Sequence, residues 1–218
     1  MKIIEEYNIL FPQEKAVRTT GACTIAEHED KVNLTNSLRE VTYTGVDSYL
    51  FPHLLPKKLS GSFQKLGIKK DSTYGALLKD CDGIFCVDKE DAIHVYFCEL
   101  KSSFSTQEII KAKDQIIGSY LKVNNLLQLL QGYRSSKFVF HGIIVSYEAN
   151  TENLAYLKTV NRRDERFVSF IYNERKYMMP TKKLEAFYQP IAYNDLLFHY
   201  VPVPAGQLTY SFPFANLN

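Results

Sequence analysis

The sequence predicts an α/β fold in which one mixed central β-sheet is flanked by helices, and three observations carry that expectation. Two runs of β-forming residues, Tyr74 to Val87 and Ala92 to Ser102, enclose the polar stretch Asp88-Lys89-Glu90-Asp91, the pattern of a β-hairpin. An apolar stripe at Ile109, Ala112, Ile116, Tyr120, Val123, Leu127 and Leu130 then repeats at helical spacing. Phe138 to Val145 is almost continuously apolar, as a strand covered on both faces must be.

Taken in order, the first 70 residues carry the weakest pattern. Ile25, Val32, Leu38 and Val41 hint at helical spacing, and Leu50 to Pro56, with Pro52 and Pro56, reads as loop or turn. The hairpin follows. Ser105-Thr106-Gln107-Glu108 is a capping box, which starts the long helix; Gly132 stops it, and one break along its length is compatible with the pattern. After the buried strand, Asn150-Thr151 caps a helix running through Val160. Phe167 to Tyr172 reads as a further strand and Lys182 to Tyr188 as a short helix. Beyond Pro190 the chain is aromatic and punctuated by Pro202, Pro204 and Pro213, which predicts irregular structure with at most an edge strand. One domain is expected, with its core at 74–172, a helix-and-loop part at 1–73 and an irregular segment at 190–218.

The bulk numbers exclude little. A chain of 218 residues with 45% hydrophobic residues can bury one substantial core, and a net charge of +2 neither requires nor forbids a polyanionic partner. Trp is absent, and the aromatic load falls on 15 Tyr and 14 Phe, which read mainly as packing. Cys23, Cys81, Cys86 and Cys98 form no CxxC pair and read as small buried hydrophobes. The opening MKIIEEYNILF is acidic where a signal peptide is basic, and no apolar run reaches the roughly 20 residues a membrane span needs. A soluble, cytoplasmic, reduced protein with no membrane partner is therefore expected.

Chemistry concentrates at one place. Glu-x-Lys occurs at Glu29-Asp30-Lys31, Glu99-Leu100-Lys101 and Glu174-Arg175-Lys176. The first and third lie in charged runs and read as solvated surface. The second closes the apolar strand Val95-Tyr96-Phe97-Cys98, where charge needs a reason. Alternation along a strand puts Glu99 and Lys101 on one face. A two-residue turn pairs Asp82 opposite Phe97, and a four-residue loop from Lys89 to Ala92 pairs it opposite Glu99. Either even register leaves Asp82 on that same face, whereas an odd loop reverses it. Two close carboxylates repel unless a cation lies between them, and such oxygen ligands suit Mg²⁺ or Mn²⁺. With Lys101 beside them, they suffice for phosphodiester hydrolysis. A cross-strand ion pair on an exposed face is the plainer explanation of the same three charges.

An Asp on one strand, Glu-x-Lys at the end of the next and then a helix resembles the PD-(D/E)XK nuclease superfamily. The likeness spans Tyr74 to Tyr147. It implies a restriction-endonuclease-like core, with Asp82 and Glu99 as metal ligands, the Leu100 carbonyl as a further ligand and Lys101 as the catalytic lysine. Several branches also carry a Gln in the following helix, and Gln115 falls there as a fourth catalytic residue. The family's Pro before the Asp is replaced by Cys81. Many members add an acidic residue from an N-terminal helix, for which Glu27 and Glu40 are candidates. Asp80, two residues before Asp82 and on its face, is a further candidate ligand or a charged neighbour.

The expected function is thus a Mg²⁺- or Mn²⁺-dependent deoxyribonuclease, in restriction, repair or defence against foreign DNA. Its partner is nucleic acid, DNA ahead of RNA, and a homodimer or a place in a larger complex is compatible with it. The alternatives are a nuclease-fold protein that binds DNA or a protein without cutting, and an unrelated α/β protein with a surface ion pair. Lys111, Lys113 and Lys122, then Arg162, Arg163 and Arg166, then Lys182 and Lys183 could touch phosphates, although a solvated face explains them as well. Ser102 and Ser103 read as the end of the strand. His94, His141 and His199 are scattered and read as structural.

Overall fold

The computed structural model describes residues 2–27, 37–52, 54–69, 75–89, 91–159, 163–180 and 194–217. Helix α1 (Lys2–Leu10) leads into β1 (Val17–Thr19), β2 (Ala22–Ala26), β3 (Glu40–Thr44), β4 (Ser48–Leu50) and helix α2 (Leu54–Lys65). The hairpin is β5 (Gly83–Asp88) and β6 (Ile93–Lys101), followed by helix α3 (Thr106–Gln128) and strand β7 (Phe138–Tyr147). Helices α4 (Thr151–Thr159) and α5 (Arg163–Glu174) precede β8 (Lys176–Met179), β9 (Leu196–Val203) and β10 (Thr209–Pro213).

Seven strands form a mixed sheet in the order β1-β4-β5-β6-β7-β9-β8. β6, β7 and β9 run parallel, and the other neighbours are antiparallel. The reversal from hairpin to parallel pairing is made by α3, which carries the chain from β6 back to the start of β7. Alternate residues of the central strands face opposite layers. Val95 and Phe97 of β6, Phe140 and Ile144 of β7 and Phe198 of β9 pack with α3 and α5 in one core. Tyr96, Cys98 and Leu100, with Ile143, Val145, Val201 and Val203, pack in a second core against a three-stranded sheet ordered β10-β3-β2.

The expected α/β class with a mixed sheet flanked by helices is observed, and several elements are corrected. The first hairpin strand begins at Gly83 rather than Tyr74, which lies outside the described residues; Gly75–Leu78 is a 3-10 turn. The good helix formers Ala76, Leu77 and Leu78 explain that local choice. Ile25 and Val41 lie on no helix but are direct cross-strand partners in β2 and β3. Pro56 falls in the first turn of α2, where its missing N–H costs nothing, so the loop after Leu50 is shorter than expected. Ser105 accepts the Glu108 N–H at the start of α3, as the capping box requires, and α3 runs unbroken. Asn150 accepts from the Asn153 N–H at the start of α4. Phe167 to Tyr172 is helical, part of α5. Its buried residues Phe167, Val168 and Ile171 lie three and four apart, a helical stripe hidden in a short run that also suits a strand. The helix expected at Lys182 to Tyr188 lies outside the described residues.

The largest correction is at the C-terminal end. β9 is an interior strand between β7 and β8, and β10 joins the smaller sheet parallel to β3. Pro202 is tolerated in β9 for a geometric reason. The Tyr200 N–H points at Arg175 on the β8 side, so the nitrogen two residues on points the same way, past the end of β8. No ladder bond is lost there. All four cysteines are free and buried, as expected. No described helix is long and apolar enough to cross a membrane.

Candidate active site

The ladder between β5 and β6 pairs Gly83 with Cys98 and Asp88 with Ile93, the register of the four-residue loop. Continued by one pair, it sets Asp82 opposite Glu99. Asp82 itself lies just before β5, and its Oδ2 accepts the Leu100 N–H at 2.7 Å, closing the ladder with a side chain. The segment that delivers Asp82 is strapped to α3. The Cys81 N–H donates to Ser119 Oγ at 2.9 Å, and Gln115 Nε2 donates to the Asp80 carbonyl at 2.9 Å. Lys122 Nζ donates to the Lys79 carbonyl at 2.7 Å, and Lys79 pairs with Asp114 at 2.6 Å.

Glu99 and Lys101 emerge on the helix-facing side of β6, in line with Val95 and Phe97. Their burial is severe: Glu99 is 1% exposed and Lys101 8%. Lys101 Nζ donates to Glu99 Oε1 at 2.5 Å and to Gln115 Oε1 at 2.9 Å, with Glu108 Oε2 at 3.9 Å. Asp82, Glu99, Lys101 and Gln115 are thus brought together, Gln115 being half-buried on α3. Glu99 Oε2 is buried and makes no hydrogen bond. Burial first, and the neighbouring Asp82 charge second, push the Glu99 carboxyl well above the usual carboxylate range, while Lys101 pulls the other way. An exposed cross-strand ion pair does not describe this geometry.

The other candidates go elsewhere. Asp80 turns its carboxylate to Lys122 Nζ and to Ser60 Oγ, the latter at 2.7 Å. Lys122 is 1% exposed, and burial lowers its pKa against the opposing pull of Asp80. It is a structural partner rather than a phosphate contact. Lys113 is also buried, 5.7 Å from the Phe167 ring centroid, whereas Lys111 is exposed. Glu27 and Glu40 belong to the three-stranded layer on the opposite face of the large sheet, and neither lies on a helix. Arg162, Lys182 and Lys183 lie outside the described residues; Arg163 opens α5, and Arg166 is exposed. Ser102 and Ser103 are exposed and end β6.

Sequence reasoning missed the Lys122–Asp80 pair, although Gln115 and Lys122, seven apart on α3, share one helical face. It also left the histidines scattered, whereas the fold aligns them. His94 Nδ1 lies 2.8 Å from His141 Nε2, and His141 Nδ1 lies 2.9 Å from His199 Nε2, on three adjacent strands facing the smaller sheet. Tyr96 stacks on His141 at 4.4 Å. At the inner end, His199 Nδ1 faces the Leu217 backbone without a hydrogen bond of full geometry. Burial holds His141 at about 2 and His199 at about 4, so both imidazoles are neutral. Both nitrogens of His141 are engaged, so the row cannot converge on one ion. Among the described residues no group of three or more His, Cys, Asp or Glu could hold a metal.

A scan against models of protein families, and searches of curated proteins and of solved structures, find no match to this chain.

Proposed function

We propose that this chain is a metal-dependent nuclease that hydrolyses phosphodiester bonds of DNA with Mg²⁺ or Mn²⁺, on a restriction-endonuclease-like core. The observation that carries the reading is Glu99: a fully buried carboxylate beside a second acid, with one oxygen short of a hydrogen bond of full geometry and only Lys101 and the Asp82 backbone to offset it. A buried anion of that kind is costly unless a cation completes it. One lysine cannot offset two carboxylates, and the donor set of hard oxygens fits a small divalent ion. Asp82 and Glu99 would hold it, and two protein carboxylates leave room for water and substrate oxygens. The Leu100 carbonyl is a further ligand in this reading, because it points to the same edge of β6 as the N–H that meets Asp82.

When bound, the ion supplies Lewis acidity toward phosphate and water oxygens. Lys101 presents an ammonium held by Glu99 and Gln115, which orients a water or offsets charge gathering on the phosphate. Gln115 bridges Lys101 to the Asp80 backbone, so the lysine is fixed from the same strap that delivers Asp82.

The test is cleavage of labelled single- and double-stranded DNA by wild type and Lys101→Ala in Mg²⁺, Mn²⁺ or EDTA, with circular dichroism to verify folding. Metal-dependent cutting that disappears in the variant supports the reading. A wild-type protein that neither cuts DNA or RNA nor binds Mn²⁺ refutes it in favour of a non-cutting binder.

A further inference from the structure

Arg175 lies directly after α5 and is the one described non-glycine residue with positive φ, at 59°. Its N–H closes α5 by donating to the Ile171 carbonyl, and its own carbonyl accepts from the Tyr200 N–H. Glycine or asparagine would end the helix there without strain, so an arginine in this conformation calls for a reason outside the backbone. Its guanidinium sits 5.0 Å from the centroids of both Tyr172 and Tyr200. Two aromatic faces hold the planar group while its edge N–H donors stay available, and the residue is exposed. Among the described residues it forms no ion pair.

Position gives the arrangement its meaning. Glu99, Ile144 and Tyr200 are successive partners across β6, β7 and β9, on one face of the sheet. Arg175, just before β8, continues that row through the bond from the Tyr200 N–H to its carbonyl, about 14 Å from Glu99 at three strand spacings. Tyr200 Oη lies 3.2 Å from Ser146 Oγ, and Ser146 is the ladder partner of Lys101. Phe104, three residues beyond Lys101, packs its ring against Tyr172 and Tyr200 at 5.2 and 5.6 Å. Lys101 and the guanidinium therefore share one face and one end of the sheet, where the parallel strands terminate. Open α/β sheets place ligands at that end.

We propose that Arg175 binds a backbone phosphate flanking the scissile one, so that the strand being cut lies across the C-terminal ends of β6, β7 and β9. The inference rests on the nuclease reading and names a substrate contact for it. The chemistry recognised is the phosphodiester, gripped by a guanidinium fork, and it carries no base specificity.

The decisive variant is Arg175→Gly, because glycine occupies that backbone conformation freely. Binding of a labelled DNA duplex, its single strand and an RNA of the same sequence is measured in Ca²⁺ over a salt series, beside the melting temperature. A phosphate contact predicts a melting temperature at or above wild type, affinity weakened about tenfold, and a shallower salt dependence of log K by about 0.7–0.9. Arg175→Lys should retain part of the affinity, since charge survives without the fork. A lower melting temperature with affinity and salt slope unchanged overturns the proposal and makes Arg175 a helix-end anchor. If wild type cuts in Mn²⁺ while the variant's slope is unchanged, only this contact fails; if wild type neither binds nor cuts, the nuclease reading fails with it.

Discussion

The two faces of the central sheet both bury polar side chains, and they solve the problem in opposite ways. Toward the smaller sheet, three imidazoles bond to one another in series, and burial keeps His141 and His199 neutral. Toward the helices, Asp82, Glu99 and Lys101 stand together with an acceptor left over. A neutral row costs little even though His199 Nδ1 at its end is short of a full hydrogen bond, whereas an unbalanced charged cluster costs stability until a cation or substrate arrives. The difference separates a polar group that serves packing from one that serves chemistry, within one sheet and a few residues of the same strand.

That contrast can be broken at its strongest point first. Replacing Lys101 with Met should reduce metal-dependent cutting by about 10³-fold, while His141→Phe should leave cutting near wild type; single-turnover rates at saturating Mn²⁺ make the comparison. Stability comes next. Lys122→Met leaves the Asp80 carboxylate facing a buried site without its cation, and should cost about 3 kcal/mol in urea unfolding.

Acidification should act on the two faces with opposite sign. His141 and His199 sit below their ordinary value of 6.5 in the fold, so the unfolded chain takes up protons first. Their contribution is complete above about pH 6.5 and declines toward pH 4 and below, by on the order of 2 kcal/mol for each histidine between pH 7 and 5. Glu99 is raised instead, so its cost is present at neutral pH and is relieved as the carboxyl takes a proton. The smallest effect follows from this: Glu99→Gln should stabilise the metal-free protein by about 1 kcal/mol, yet abolish any rise in melting temperature on adding Mn²⁺. A variant less stable than wild type without metal would show that Lys101 needs Glu99 more than Asp82 repels it.

The hairpin and the face shared by Asp82, Glu99 and Lys101 were legible because alternation, a short polar turn and terminal charges all lie within thirty residues, although two even registers remained open until the ladder chose between them. The capping box of α3 and the doubly covered strand β7 were local too. What escaped depends on distant partners. β2 is written in small residues, Ala22-Cys23-Thr24-Ile25-Ala26, and its sheet is completed by β10 from the other end of the chain. β9 was masked by Pro202, whose harmlessness depends on where β8 stops. The histidines are 47 and 58 residues apart, a separation that no pattern rule spans. At the site, Gln115 followed from the resemblance, but the pairing of Lys122 with Asp80 was missed because contact between a helix and a coil leaves no periodic trace.

The seating of α3 has a consequence of its own. A side-chain carbon at Gly118 would come within 2.2 Å of the Ala76 carbonyl, and one at Gly142 within 2.8 Å of Ile116 on the same helix. The helix is therefore seated directly on backbone at Gly118, where the Ala76 and Lys79 carbonyls leave no room to give, while at Gly142 the strand backbone meets the side chains of Ile116 and Phe198. Ser119, beside the rigid Gly118 seat, holds the Cys81 N–H, and Gln115 lies one turn away, so the spacing from Lys101 to Asp82 follows the position of that one backbone contact. Enlarging Gly118 by one methyl group would misalign the site before it unfolded the protein.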